Sequence, residues 1–581
     1  MHKMPIGYET TLAVSASFAL LLYSIYLGRR DLAGALRKGV NKYSLLFLFI
    51  ILAFFLAFSL LFVHPAEQLY FDENIYQGVA MNILHHANAL WCQFGTGYVD
   101  RCYANALYHD PVGWTLFIAI AFALFGIGTA TAFNLELLVG ALSIVAVFLL
   151  ASALFENKEL AVLGAFVFAL SPELFIWSRS MADIDLPFMM LSAFAFFFFV
   201  VFAKNRNRNT LAMFLFAMVL AAYMRIEAIL LIPLFVFLFF VFGKNSVKET
   251  FRRSVSEVKR AINEDAKTLI IVLVALLLLL PQIHYFAIEA QLTFAPGSSN
   301  YGQNTGQSAV SLGNFMENIP VNVYYVLGLI SGKNIYPTEF LFLETPLAIF
   351  GCVLLSLDKE YRNRFGMLAL LGLWPLLYFV FYTSFYAGYA TYGVDVRFML
   401  QLLPGLCLLA AFAAYDISKR ISKRMGRIIA IKRIGHYITI AIASAVLFAL
   451  PFAAISGAIT LSPSQMPQQY QIYQVMQDFY KMHSAVPTNC LVFSSTPDIW
   501  YEVGRPAAQA DYIFAHNQTT ASELSQFSCF VFDYGYWCTV PPQHNGICQA
   551  VVNSFKTKVL ATNETPDGIN VTYYELLNYT P

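Results

Sequence analysis

The stretch YSLLFLFIILAFFLAFSLLFV (43–63), followed after a short gap by FDENIYQGVA (71–80), decides how this sequence is interpreted. An apolar run of about 20 residues is what a helix needs to cross the hydrocarbon core of a bilayer. The carboxylates of Asp72 and Glu73 come soon after that run. Two questions follow: which side of the membrane these acids face, and why an apolar chain has them there.

The composition indicates an integral membrane protein. Of the 581 residues, 58% are hydrophobic and 12% are charged, whereas soluble domains carry roughly a quarter charged residues. Apolar segments that favour membrane helices lie near 9–27, 43–63, 111–127, 131–153, 161–177, 186–203, 210–224, 226–243, 269–287, 340–357, 366–382, 397–415 and 436–458. We predict a mainly α protein, in which residues 1–458 form a polytopic transmembrane bundle of about 12–13 helices.

The distribution of Lys and Arg predicts the sidedness of the bundle. Basic residues concentrate in five connecting loops, at 29–42, 204–208, 244–267, 359–364 and 419–433. Basic loops stay on the cytoplasmic side, so the long loops 64–110 and 288–339 and everything after residue 458 are expected to face outward. Residues 110 and 178 should both face outward, which requires an even number of crossings between them, yet three apolar segments lie there. We therefore expect 111–127 to enter the membrane partway and return to the same side. The first segment has no small-residue cleavage site, which favours an anchor over a removed signal peptide.

Residues 459–581 predict a small α/β domain outside the cytoplasm. Buried strands are expected at NCLVFSS (489–495) and SCFVFDY (528–534), after a helix-like stretch at 470–483. Six of the eight cysteines fall in predicted outer regions, namely Cys92, Cys102, Cys490, Cys529, Cys538 and Cys548. Even numbers in each region predict disulfides, and Cys490–Cys529 with Cys538–Cys548 is the favoured pairing of three in the tail. Four N-x-S/T sequons in the tail agree with this sidedness, at Asn517, Asn563, Asn570 and Asn578.

The first outer loop has a helical pattern. Ile75, Val79 and Ile83 recur at helical spacing, which predicts an amphipathic helix that lies on the membrane surface with Asp72 and Glu73 at its N-terminus. Acids at a helix start also have a purely structural role, since they cap the helix and interact favourably with its dipole.

Further charged groups converge on the predicted outer face. They are Arg179, Asp183 and Asp185 in SRSMADID, Arg225 and Glu227 in MRIE, His109 and Asp110 in YHDP, and Asp395 and Arg397 in VDVRF. Any one of them could form a structural ion pair. Charged groups at membrane depth are costly and usually line a polar cavity, so their coincidence on one leaflet favours a shared site.

The stretch DENIYQGVAMNIL (72–84) resembles the first-loop signature of the GT-C membrane glycosyltransferases, which use polyprenyl-phosphate sugars. It is most similar to the protein O-mannosyltransferase and aminoarabinose transferase branch, whose pattern is Asp-Glu, two residues, then Tyr. Three later segments resemble that branch in the same order, namely YHDPVGWTLF (108–117), SRSMADIDLPF (178–188) and RFMLQLLPGLCLLAA (397–411). The resemblance covers roughly 45–415. It departs at Asp110-Pro111, where two prolines are usual.

The resemblance implies an inverting sugar transfer to an acceptor hydroxyl. Asp72 would be the base, with Glu73 and Asp183 orienting it or binding sugar hydroxyls. The guanidinium groups of Arg179, Arg225 and Arg397 would hold the donor phosphate, because Arg presents paired donors that match phosphate oxygens. Further substrate-binding positions are Tyr76, His109, Asp185 and Lys333.

Other functions stay open at this stage. Asp183-Ile-Asp185, with His109, has the oxygen and nitrogen ligands of a divalent-cation site, but the better-matching branch works without a metal, so none is expected. An oligosaccharyltransferase is one alternative, since VFDYGYW (531–537) is similar to a motif of that group. A polytopic transporter is another, although no internal repeat supports it. The predicted partners are the bilayer, a polyprenyl-phosphate-linked sugar and a glycan, lipid or protein acceptor, in the plasma membrane of a prokaryote, with no nucleic acid.

Overall fold

The computed structural model covers most of the membrane body and most of the C-terminal domain. It describes residues 6–63, 71–90, 111–179, 182–242, 266–293, 310–329, 339–358, 363–385, 395–425, 477–494, 497–514, 524–525, 527–535, 538, 542–564 and 570–579. Of Asp72 and Asp395 it describes the backbone alone. The predicted positions that lie outside the described residues are Cys92, Cys102, His109, Asp110, Lys333, Asn517 and the segment 436–458.

The described part of the body is built from α-helices. They are α1 (Ile6–Leu27), α2 (Arg29–Leu36), α3 (Lys42–Phe62), α4 (Phe71–His86), α5 (Gly113–Phe125), α6 (Thr129–Phe155), α7 (Lys158–Ala169), α8 (Pro172–Arg179), α9 (Asp185–Asn205), α10 (Arg208–Met224), α11 (Leu231–Val241), α12 (Ala266–Thr293), α13 (Leu312–Val326), α14 (Glu339–Leu357), α15 (Arg364–Thr383) and α16 (Leu403–Met425). Short 3₁₀ helices at Ile226–Leu230 and Asp395–Leu402 precede α11 and α16. The long helices α6 and α9 are largely buried, because other helices pack around them, namely α5, α7, α8 and α10.

The membrane character predicted from composition is confirmed. Seven of the described helices are long and apolar enough to cross a membrane, or eight if one bent pair is a single span. Four shorter apolar helices accompany them, and α5, within the predicted segment 111–127, is one of these. The chain is therefore a multi-pass membrane protein.

The predicted segment 161–177 is not one straight helix. It divides into α7 and α8, whose axes are bent by 61°. The break falls at Ser171-Pro172, because the proline ring disfavours a helical conformation in the preceding residue. Pro172 is instead the first residue of α8, a position that tolerates its missing N–H.

Helix α4 is present as predicted, but it does not lie exposed on a surface. Every described side chain from Ile75 to Ile83 is buried, including the polar Gln77 and Asn82. Two neighbours cover it, since α5 packs against it from the body and the helix Pro497–Glu502 (α17) packs against it from the C-terminal domain. The apolar residues at helical spacing in α4 therefore contact protein on more than one side of the helix.

The C-terminal domain is the predicted α/β unit, with one more helix, α18 (Pro542–Ser554). Its five strands are β1 (Cys490–Ser494), β2 (Ala507–Gln509), β3 (Cys529–Tyr534), β4 (Thr557–Glu564) and β5 (Asn570–Leu576), in the order β2-β1-β3-β5-β4. The disulfides Cys490–Cys529 and Cys538–Cys548 are both present, as predicted. Strands β1 and β3 are parallel neighbours that place Cys490 opposite Cys529.

Candidate active site

A buried cluster of ion pairs lies at the start of α9. Nη1 of Arg397 is 2.6 Å from Oδ2 of Asp183, and Nη2 of Arg225 is 2.8 Å from Oδ2 of Asp185. Asp185 also lies 3.6 Å from Nε of Arg397, and Arg225 lies 3.5 Å from Glu227. Asp185 thereby links the two arginines. The structure brings together five of the charged residues that the sequence analysis grouped into a shared site.

Contacts from three helices, α5, α10 and α15, hold this cluster in place. The indole N–H of Trp114 in α5 donates to the carbonyl of Ala182, which fixes the segment before Asp183. A Cβ at Gly113 would lie 2.5 Å from the carbonyl oxygen of Tyr223, so α5 and α10 touch through their backbones next to Arg225. The hydroxyl of Tyr378 in α15 donates to the carbonyl of Glu227.

The ring of Phe398 lies between the two arginines. Its centroid is 5.4 Å from the Cζ atom of Arg225 and 5.0 Å from that of Arg397. Cations over an aromatic face are attracted by its quadrupole, and Tyr382 stacks on the same ring at 4.8 Å. The guanidinium planes are therefore fixed by stacking as well as by carboxylates.

Helix α4 carries the acids of the first-loop motif to the same end of the body. Glu73 and Tyr76 are buried, with 1% of each residue exposed. Asp72 lies in the first turn of the helix. The C-terminal domain covers this end, because α17 packs on α4 and the hydroxyl of Tyr480 hydrogen-bonds Thr129 at the start of α6.

Glu136 in α6 is a member of this site that the sequence analysis missed. It is fully buried, and neither carboxyl oxygen has a hydrogen-bond partner among the described residues. Asp183, Glu73 and Asp185 all act on it electrostatically, so Glu73 of α4 and the ion-pair cluster lie near one carboxyl group. The signal was present in the sequence as a lone Glu inside an apolar span, which by itself indicates a functional residue.

Arg179 lies apart from the ion-pair cluster. Its Nη1 donates to the amide oxygen of Asn134 in α6 over 3.2 Å. Among the residues that the structure describes, Arg179 contacts no carboxylate, whereas Arg225 and Arg397 each contact two. Arg179 is therefore the described arginine at this end that keeps its charge available for an anion.

The divalent-cation site considered for Asp183 and Asp185 included His109, which lies outside the described residues. Both carboxylates already contact guanidinium groups, which supply the positive charge that a cation would bring. Within the described ranges, no group of three or more His, Cys, Asp or Glu side chains is arranged to hold a metal ion.

Comparison with known proteins relates this site to one family. Residues 109–285 match the model of the dolichyl-phosphate-mannose-protein mannosyltransferase family. This segment includes Glu136, Arg179, the two aspartates of the cluster and Arg225. No curated protein sequence matches the chain.

Solved structures show the same fold. ArnT from Cupriavidus metallidurans, bound to undecaprenyl phosphate, matches with a TM-score of 0.52 and 11% identity over 93% of this chain and 99% of that chain. The oligosaccharyltransferase AglB from Archaeoglobus fulgidus, in complex with an inhibitory peptide and a dolichol-phosphate, matches with a TM-score of 0.50 and 12% identity over 91% of this chain and 74% of that chain. The family match covers residues 109–285 of the 581-residue chain, and over nearly the whole chain the fold is that of ArnT and AglB.

Proposed function

We propose that the protein transfers a sugar from a polyprenyl-phosphate donor to an acceptor hydroxyl, with inversion at the anomeric carbon. The observation that carries this proposal is the convergence of α4, which bears Asp72 and Glu73, with a buried cluster of aspartates and arginines at one end of the membrane body. A group of charges this deeply buried costs stability, which favours a role in binding and catalysis.

Asp72 acts as the general base in this proposal. A lipid phosphate is already a good leaving group, so the reaction needs one base and a phosphate site, unlike a glycosidase with two flanking carboxylates. The acceptor oxygen bonds to the anomeric carbon, its proton goes to the Asp72 carboxylate, and the bond from that carbon to the phosphate oxygen breaks. The helix dipole favours an ionised carboxylate at the start of α4, which is the form that accepts a proton.

Arg179 is the first candidate for the donor phosphate. Its described partner is a neutral amide, so phosphate binding breaks no ion pair. Arg225 and Arg397 are engaged by Asp185 and Asp183, and we assign them to positioning the site. Glu73 and Asp183 orient the base or bind the sugar, as the resemblance implies. Tyr76, His109, Asp185 and Lys333 remain proposed substrate-binding positions.

The position of the site at the edge of the membrane body suits a lipid donor. Its polyprenyl chain would lie between helices while its phosphate meets Arg179, and the fold neighbours bind undecaprenyl phosphate or dolichol-phosphate. The basic loops support a position of this end outside the cytoplasm, and the membrane we propose is the plasma membrane of a prokaryote. The acceptor is a glycan, a lipid or a protein.

Sugar transfer by matched variants tests the proposal. Purified protein in detergent or vesicles is incubated with radiolabelled polyprenyl-phosphate hexoses, starting with mannose, and with lipid, glycan and peptide acceptors. We expect Asp72→Asn to lower the initial rate by about 10²–10⁴-fold, the usual range for loss of a general base. The control Asp31→Asn makes the same chemical change in α2, outside the site. Full transfer by Asp72→Asn would remove Asp72 from its role, and flux of an unmodified solute without a covalent product would indicate a transporter.

The shared fold with the oligosaccharyltransferase AglB suggests one alternative function. In this alternative the protein transfers a glycan to an asparagine amide. The same assay distinguishes it, because an Asn-x-Ser/Thr peptide would become labelled on nitrogen while hydroxyl acceptors would not. The tail segment that is similar to an oligosaccharyltransferase motif does not support this alternative. Its Asp533 is buried in β3, where it accepts hydrogen bonds from Ser494 and Trp500.

A further inference from the structure

Glu136 is a buried acid beside the other acids of the proposed site. It lies in the N-terminal third of α6, completely buried, and neither carboxyl oxygen has a hydrogen-bond donor among the described residues, a property that it shares with Glu344 in α14. Burying a carboxyl group without hydrogen bonds is expensive, and more so inside a membrane span. A side chain with that cost persists where it contributes to function.

Burial does not leave every acid of the described membrane body without hydrogen-bond partners. Glu173 in α8 is equally enclosed, yet its oxygens accept hydrogen bonds from Ser171 over 2.7 Å and from Tyr325 over 3.3 Å. Glu136 has no such donors among the described residues, and Asp183, Glu73 and Asp185 act on it electrostatically. Glu344, the other described glutamate without partners, has Cys407 and Glu173 as its neighbours instead, so Glu136 is the one that belongs with the acids of the proposed site.

The surroundings restrict what Glu136 can bind. A phosphate would meet the repulsion of several carboxylates, and the described acids are not arranged to hold a metal ion. A neutral group that donates hydrogen bonds would be favoured, and a sugar ring carries several hydroxyl donors. A carboxylate can accept up to about four hydrogen bonds from them.

We propose that Glu136 accepts hydrogen bonds from hydroxyl groups of the donor sugar and thereby determines sugar specificity. This assignment rests on the proposed function, since it takes a lipid-phosphate sugar to be the donor. It divides recognition of the donor between two places along the site. Arg179 binds the phosphate that every donor shares, and Glu136 binds the sugar that distinguishes one donor from another.

Binding measured with two lipids tests the assignment without an acceptor. The probes are undecaprenyl phosphate without a sugar and the undecaprenyl-phosphate hexoses, starting with mannose, from which the tightest-binding hexose is chosen with the wild-type protein. We expect Glu136→Gln to bind the sugar-free lipid within twofold of wild type and the sugar-bearing lipid about tenfold more weakly, the loss expected for hydrogen bonds to a charged group. Glu173→Gln is the matched control, with the same burial and the same substitution, and it should leave the ratio of the two affinities unchanged.

Deoxy analogues of the chosen sugar identify the contact. Removing the hydroxyl that Glu136 binds should weaken binding to wild type and leave binding to Glu136→Gln unchanged, a pattern that a structural defect would not produce. Unchanged binding of both lipids by Glu136→Gln, or an equal loss for both, would overturn the assignment. If wild type transfers the sugar while Glu136→Gln shows either of those results, the assignment alone fails and the proposed function stands.

Discussion

Acidic residues lie at both ends of the pair formed by α6 and α9, and the two ends are built differently. At the end with the candidate site, Asp183 and Asp185 are 2% and 4% exposed, and their arginine partners are nearly as buried. At the opposite end, Glu156 is 36% exposed and is held by Lys38 and Lys204 over 2.6 and 2.7 Å. At one end of the same pair of helices the cluster is buried and rich in acidic residues. At the other end it is partly exposed and carries more basic than acidic charge.

The difference separates charges that serve stability from charges that serve chemistry. Exposed ion pairs contribute roughly 0–1 kcal/mol and are screened by salt. Buried pairs are costly to desolvate, and replacing them with apolar residues is often neutral or stabilising. The acidic cluster at the site end, with Glu136 unpaired beside it, is therefore hard to explain by stability, whereas the Glu156 end needs no other explanation.

Breaking a pair at the site end should give the largest effect on stability. Arg397→Leu leaves the buried Asp183 without its partner, and we expect a loss of about 3–5 kcal/mol together with loss of transfer. The apparent unfolding temperature in detergent measures the first effect. Lys558→Leu is the control, because this lysine belongs to a surface pair with Glu575, in which 62% and 28% of the two side chains are exposed, and its loss should cost about 1 kcal/mol or less.

The double variant Asp183→Leu with Arg397→Leu distinguishes stability from chemistry. It should recover most of the lost stability, since no charge of that pair is left buried alone, and it should remain inactive. If the double variant recovered transfer as well, the pair would be structural and the comparison of the two ends would fail.

The sequence predicted the membrane spans and part of the candidate site, but it did not predict Glu136 or the burial of α4. Apolar run lengths located the spans, and clustered charges near Asp183 and Arg397 predicted a shared site, because both signals are local in the chain. Glu136 has no charged neighbour within its helix, and its relation to Glu73 appears only when α4, α6 and α9 are assembled. The burial of α4 depends on α17, which follows it by more than four hundred residues, so no local pattern could separate it from a helix on the membrane surface.

The C-terminal domain offers an intermediate case, a buried acid that is well supplied with donors. Burial raises the pKa of Asp533, although hydrogen bonds from Trp500 and Ser494 oppose the shift. The folded domain therefore holds this proton more tightly than the unfolded chain does. Its free energy of unfolding should fall as pH rises from the usual aspartate range through the raised pKa, by up to about 1.4 kcal/mol per pH unit.

Asp533→Asn should remove that pH dependence. A single amide oxygen can accept both hydrogen bonds, since both donors contact Oδ2 in the wild type. Hydrogen exchange of β3 in the full-length protein, measured across the acidic to neutral range, reports the local stability. An equal slope in wild type and Asp533→Asn would assign the pH dependence to another group.

The smallest effect is expected at Glu156, the acid of the exposed end. Partial burial would raise its pKa, but hydrogen bonds and charge from Lys204 and Lys38 outweigh burial and place the pKa below its usual value. A lowered folded pKa means that the stabilisation is present above the usual glutamate pKa and is lost as pH falls through the folded value. Glu156→Gln should cost under about 1 kcal/mol at neutral pH, and less in high salt, and transfer should be unchanged because the residue lies at the far end of α6. A loss of transfer in this variant would show that the two ends of α6 and α9 are coupled, and the separation between a stabilising end and a reactive end would no longer hold.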